Sequence, residues 1–206
     1  MTDRRDTDPE STGPDDETKP HDSAFFSPPA EPRSEWAAPR WTQPEPRPPT
    51  PEQWFEAAPL FEKAAAIRPD DYQAPSFLAA AYAGQGRIHE ASKASHKAVG
   101  VIERWLDLNP DDARALNLGA TIWSNLGQHE KALEWARRSL VIDKEDPQLL
   151  YNVACVYAIE GMKDDAIMTL ERAIDKGYGH KEWIEHDSDL NSLRSDKRFQ
   201  ALLERM

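Results

Sequence analysis

The sequence predicts an all-α protein: a solenoid of antiparallel helix pairs that carries a disordered N-terminal tail. Three observations predict it. Matching residues return at an interval of 34, so that Leu116, Ala120, Trp123, Gly127, Ala132 and Ser139 map onto Leu150, Ala154, Tyr157, Gly161, Ala166 and Ala173. From about Glu52 onward Leu, Ala and Ile recur at helical spacing. All but five of the 17 prolines stand at or before Pro51, the exceptions being Pro59, Pro69, Pro75, Pro110 and Pro147.

In chain order, residues 1–51 read as a proline-rich acidic tail whose large side chains are a scattered Phe25, Phe26, Trp36 and Trp41. That is too little apolar surface to offset chain entropy. Its last prolines, Pro44, Pro46, Pro48, Pro49 and Pro51, favour a polyproline II segment, either a grip for an aromatic-lined domain or a stiff linker. The folded part is expected over 52–206 and opens with a lone helix, 52–68, because those same prolines forbid the helix that would precede it. This helix either caps the stack by itself or is what remains of a longer solenoid.

Repeats are expected at about 72–110, 113–146 and 147–180. Tyr82, Gly86, Ala91 and Ala98 match Trp123, Gly127, Ala132 and Ser139 at 41 residues rather than 34, so seven residues have been inserted after Ala98. Seven residues are about two helical turns and return the apolar stripe to the same face. Ala98, Ile102, Trp105 and Leu108 continue that stripe, which predicts one lengthened helix, 87–108, projecting beyond its neighbours. The last segment, 181–206, supplies Trp183, Leu190, Leu193, Phe199 and Leu202 to cover the apolar side of the final repeat, with Ser195 as the N-cap of a helix over 196–205.

The spacing resembles the tetratricopeptide repeat, in which small, aromatic and glycine residues hold set positions along a helix pair. Ala79, Ala120 and Ala154 let paired helices approach, Gly86, Gly127 and Gly161 permit the turn, and Tyr82, Trp123 and Tyr157 fill the space between layers. Ser95, Ala136 and Leu170 stand where the family carries a bulky aromatic, and Tyr178 where its closing proline falls. Residues Gly177 to Leu202 resemble the end-of-array cap of bacterial repeat proteins, which implies an alternative reading as the regulatory C-terminal part of a signalling protein of kinase or cyclase type. The family resemblance implies a non-enzymatic scaffold or adaptor that binds another protein, as a peptide or helix, in a concave groove lined by the first helix of each pair; the lengthened helix is a second candidate surface. The candidate groove residues are Ser76, Phe77, Ala80 and Ala83 from helix 72–84, Asn117, Thr121, Ser124 and Asn125 from 112–126, and Tyr151, Asn152, Cys155 and Ile159 from 147–160. They are uncharged, which suits a neutral partner better than a terminal carboxylate, with Tyr151 as the expected anchor.

A formal net charge of -12 opposes nucleic-acid binding, which needs a dense basic footprint. No nucleophile-and-base set, phosphate loop, dinucleotide fingerprint or metal-ligand cysteine pair is present, so neither catalysis nor a cofactor is expected. The one metal-like grouping is His180, His186, Asp187 and Asp189, the basis of a rival reading as a metal-dependent enzyme or subunit. His89 and His96 share a helix face without paired ligands in register, and Cys155 lacks an activating neighbour in sequence. A single cysteine, an N-terminus without an apolar leader and no span long enough for a bilayer lead to the expectation of a cytoplasmic location without membrane association.

Overall fold

The computed structural model describes residues 50–206, and the proline-rich tail with its polyproline segment lies outside them except for Thr50 and Pro51. The helices are α1 (Pro51–Ile67), α2 (Gln73–Gly84), α3 (Ile88–Leu108), α4 (Ala113–Asn125), α5 (His129–Ile142), α6 (Pro147–Ile159), α7 (Lys163–Asp175), α8 (Lys181–His186) and α9 (Lys197–Arg205), with a 3-10 helix over Ser188–Leu193. Consecutive helices pair as hairpins, α2 with α3, α4 with α5 and α6 with α7, while α4 and α6 also lie side by side.

Starts and stops follow from local chemistry. Asp112 and Asp146 are N-caps one repeat apart; a side-chain oxygen of each accepts from the first-turn amides of Ala115 (2.9 Å) and of Gln148 and Leu149 (2.8 and 3.0 Å). Thr50 and Gln53 form a reciprocal capping box at the start of α1, where Pro51 occupies the first helical position. Gly86, Gly127 and Gly161 take φ values of 71°, 71° and 75°, the left-handed conformation that glycine adopts without penalty. The residue after each glycine donates its amide back to Tyr82, Trp123 or Tyr157 at 2.8–2.9 Å, which closes the helix end in the same way three times. The aromatic and glycine positions are thus locked four residues apart by one hydrogen-bonded turn.

Alpha-3 is a single helix, and its added turns do not project bare. Val101, Ile102 and Leu106 are buried in the main core, leaving Leu108 83% exposed at the tip. Trp105 bends back: its Nε1 donates to Asp112 Oδ2 (2.8 Å), and its ring lies 5.7 Å from that of Tyr72. Tyr72 donates to the same carboxylate oxygen at 3.2 Å. Burial, then Asp112, pushes the Tyr72 hydroxyl up to about 12. One aspartate therefore caps α4 and ties the end of α3 to the start of the first repeat.

The C-terminal segment keeps the repeat register. Alpha-4, α6 and α8 start at Ala113, Pro147 and Lys181, and α5, α7 and α9 at His129, Lys163 and Lys197, each series at steps of 34. The fourth first-helix is broken at Asp187, where the chain turns into the 3-10 helix that packs on α6. Ile184, Leu190, Leu193, Phe199 and Leu202 are buried, whereas Trp183 is only half-buried. Asp196, not Ser195, caps the last helix, since its carboxylate accepts the Arg198 amide (2.9 Å) as well as the Arg198 guanidinium. Those bonds hold the Asp196 carboxyl at about 2.

Candidate functional site

The residues expected to line a groove fall into two groups. Ser76, Asn117, Ser124, Tyr151 and Cys155 are buried and spend their polar atoms inside the protein, while Phe77, Ala80, Ala83, Thr121, Asn125, Asn152 and Ile159 keep surface. The Ser76 hydroxyl donates to the Tyr72 carbonyl (2.6 Å). Phe77 leans on Phe61 of α1, with ring centroids 5.6 Å apart. Asn117 donates to the Leu149 carbonyl (3.4 Å) and accepts from Asn152 (2.8 Å), and Asn152 accepts in turn from Gln148 (3.1 Å). This amide chain joins α4 to α6. The Thr121 hydroxyl donates to the Asn117 carbonyl at 3.4 Å.

Ser124 leads to a residue that sequence reasoning missed. Its hydroxyl donates to Glu160 Oε1 (2.5 Å), and His129 Nδ1 stands 2.6 Å from Glu160 Oε2. The Glu160 side chain is nearly covered, so a carboxylate is held between two repeats by a hydroxyl and an imidazole. Glu160 directly precedes the turn glycine Gly161, and only the stacking of the next hairpin brings Ser124 and His129 to it.

Tyr151 is not an exposed anchor, which corrects the sequence expectation. At 2% exposure its ring stacks on Tyr178 (4.2 Å between centroids) and its hydroxyl donates to Asp187 Oδ2. Cys155, 4% exposed, directs its thiol to the same oxygen at 3.7 Å, and Asp187 Oδ1 accepts the Asp189 amide at 2.9 Å. The C-terminal segment lies over this part of α6 because the apolar side of the last hairpin must be sealed, and its polar turn is carried in with it. Burial raises the Tyr151 hydroxyl and Cys155 thiol, with Asp187 adding to both. Asp189 rises to about 6, through burial and then Asp187. At neutral pH the thiol is therefore held protonated, the opposite of what a cysteine nucleophile requires.

The metal-like grouping is rearranged. Among the described residues, Cys155, Asp187 and Asp189 place one ligand atom each within 4.8 Å of one another. His186 is exposed, its Nδ1 2.8 Å from the carbonyl of Glu182, and His180 stands edge-on to Tyr178 at 5.1 Å. The two histidines that prompted the grouping lie outside that triad.

Stacked antiparallel hairpins, stepping at 34 residues from α4 onward and carrying one lengthened helix in α3, define a TPR-like α-solenoid. Residues 147–175, which are α6 and α7 end to end, match the family model described as tetratricopeptide repeat. The chain is 33% identical over 82 residues to the uncharacterized protein y4yS of Sinorhizobium fredii, covering 40% of this chain and 45% of that one. It is 35% identical over 85 residues to a chloroplastic protein of Arabidopsis thaliana, covering 39% of this chain and 25% of that one. It thus spans less than half the length of these curated relatives. Among solved structures, YrrB, titled a TPR protein with an unusual peptide-binding site, shares 18% identity at a TM-score of 0.36, covering 63% of this chain and 80% of that chain. No helix among the described residues is long and apolar enough to cross a membrane.

Proposed function

We propose that this chain is a non-enzymatic interaction scaffold that binds a neutral peptide or a helix of another protein along the first-helix face of α2, α4 and α6. The observation that carries the reading is the residue set left uncovered there. Phe77, Ala80, Thr121, Asn125, Asn152 and Ile159 retain surface after packing, and none of them is charged. They occur at matching repeat positions: Phe77 and Asn152, Ala80 and Thr121, Asn125 and Ile159. Such a face offers aromatic contact at one end, amide and hydroxyl groups in the middle and an aliphatic contact at the other, suited to backbone hydrogen bonds and small apolar side chains. Tyr151 and Cys155 belong to the sealed end of the stack and leave the face ending at α6. The Cys155, Asp187 and Asp189 triad serves, in this reading, to fasten the last segment to α6.

A display library of neutral and amphipathic peptides, selected on the purified full chain and followed by titration calorimetry, tests the reading. Phe77→Ala and Asn152→Ala are expected to weaken a selected peptide about 5- to 30-fold, the range of a good interface residue. Tyr151→Phe should leave affinity unchanged. A library that yields no binder, or binders indifferent to both alanine substitutions, rejects the groove.

A further inference from the structure

Cys155 stands at a position that is open in the two preceding repeats. It is the repeat equivalent of Thr121, 34 residues earlier, and of Ala80, 41 residues before that. Ala80 and Thr121 keep surface, but Cys155 is sealed, because the fourth first-helix breaks at Asp187 and the 3-10 helix beyond the break packs on α6. The covering turn is tied to itself: Asp187 Oδ1 accepts the Asp189 amide (2.9 Å), and Arg194 folds back to donate to the carbonyls of Glu185 and, at 2.9 Å, of Asp187. Its polar bonds to α6 are few. Asp187 Oδ2 takes the Tyr151 hydroxyl and the Cys155 thiol, and the Ser192 hydroxyl donates to the Ala158 carbonyl at 2.9 Å. Leu190 and Leu193, fully buried, add an apolar hold. The same turn crowds like charges: an oxygen from each of Asp187 and Asp189 and the Cys155 sulfur lie within 4.8 Å of one another. Among the described residues no cation bonds to either carboxylate, since the Arg194 guanidinium is spent on carbonyls and on Asn191. The titratable groups facing the pair are Tyr151 and Cys155 from α6 and Tyr178 from the loop before α8, none of them positive. His180 stands edge-on to Tyr178, and His186 is exposed with its Nδ1 at the Glu182 carbonyl. Two partly buried carboxylates without a counter-charge favour any motion that parts the turn from α6 and lets water reach them.

We propose that the turn from Asp187 through the 3-10 helix is a pH-governed lid on α6, closed while the two carboxyls share a proton and lifting when both are ionised, with Cys155 as the position it uncovers. Burial, then Asp187, holds the Asp189 carboxyl at about 6 in the closed form, against the usual 3.8 once it is open to water. The closed form therefore keeps a proton that the open form releases. Opening rises with pH between those two values and levels off above the higher one. The buried Leu190 and Leu193 keep the open form a minor excursion rather than a loss of structure. On the proposed reading of the first-helix face, lifting adds to it the position that follows Ala80 and Thr121; the lid itself does not rest on that reading. A peptide selected on the closed chain stops short of Cys155 and is indifferent to the lid.

Cys155 is the chain's single cysteine, so its rate of reaction with dithiodipyridine, a disulfide reagent active in mild acid, reads the lid directly. The thiol's protection is the rate in the urea-unfolded chain divided by the rate in the native full chain at the same pH. Protection is expected to fall about 20-fold between about pH 4.5 and pH 7. Asp189→Asn should reduce that change to under about threefold, with helix content by circular dichroism unchanged. Urea added below the unfolding transition at pH 7 should barely alter protection, because lifting one turn exposes little surface. Constant protection in the parent, the same pH trend in Asp189→Asn, or protection that falls with urea as steeply as global stability does would each overturn the lid.

Discussion

The two ends of the stack use the same hairpin and bury very different material. At the N-terminal end the buried cluster is Ala58, Ala79, Ala81, Tyr82, Ala91 and Ala94, with Trp54, Phe61 and Leu78 partly covered beside it. At the C-terminal end Leu116, Leu150, Leu170, Ile184, Leu190, Leu193 and Phe199 are fully buried within one continuous core. Alanine permits close helix approach but removes only a methyl group from water, whereas each leucine or phenylalanine contributes about 1.5–3 kcal/mol on burial. A repeat register therefore sets geometry without setting stability; the residues at its variable positions do that. Alpha-3 belongs to both clusters, and its tip is fastened by Asp112.

The sharpest way to break the comparison is to cut a large side chain from each end. Leu150→Ala is expected to cost about 2–5 kcal/mol in urea unfolding, and Phe61→Ala, which empties a half-open site, about 1–2 kcal/mol. Equal costs would refute the contrast. Native-state hydrogen exchange should show the same order, with the amides of α1 and α2 released before those of α4 and α6.

The second test uses pH on the C-terminal end. Asp189 is neutral in the folded protein up to about pH 6, while in the unfolded chain it ionises near the usual 3.8. Between those values the native state holds a proton that the unfolded state has released, so this group makes stability rise as pH falls from 7 toward 4. The effect has an upper limit of about 3 kcal/mol. Thermal unfolding of Asp189→Asn compared with the parent between pH 7.5 and 5 should show a gap at neutral pH that closes on acidification; a gap constant with pH would contradict the burial of this carboxyl.

A smaller effect is expected where the two ends join. Asp112→Ala removes an N-cap and the acceptor shared by Trp105 and Tyr72, at a cost of about 1–2 kcal/mol. It should also move the Tyr72 titration down from about 12, measured by ring resonances in NMR. Persistence of that titration with Asp112 gone would assign the shift to burial alone.

Much of this was legible in the residues. The interval of 34, the turn glycines and the aromatics four residues ahead of them report local requirements: a left-handed backbone at one site, and one hydrogen-bonded helix end before it. The inserted two turns of α3 were readable for the same reason, since helical periodicity is a property of the chain's own sequence. The alignment of α8 and α9 with the repeat was harder to see, because Asp187 breaks the helix and the apolar signature weakens there.

What a first-helix residue faces was not legible. Asn117 and Asn125 are alike in composition, yet one is buried in the amide chain to α6 and the other is exposed. Tyr151 reads as a binding anchor until the final segment folds over it, and Cys155 meets Asp187 across 32 residues of chain. The amino-acid sequence by itself determined the helices, their turns and the step between them, because those depend on neighbours within one turn or one repeat. Only the tertiary structure decided which polar groups are sealed and which remain open, because burial is set by whatever the rest of the chain lays across each face.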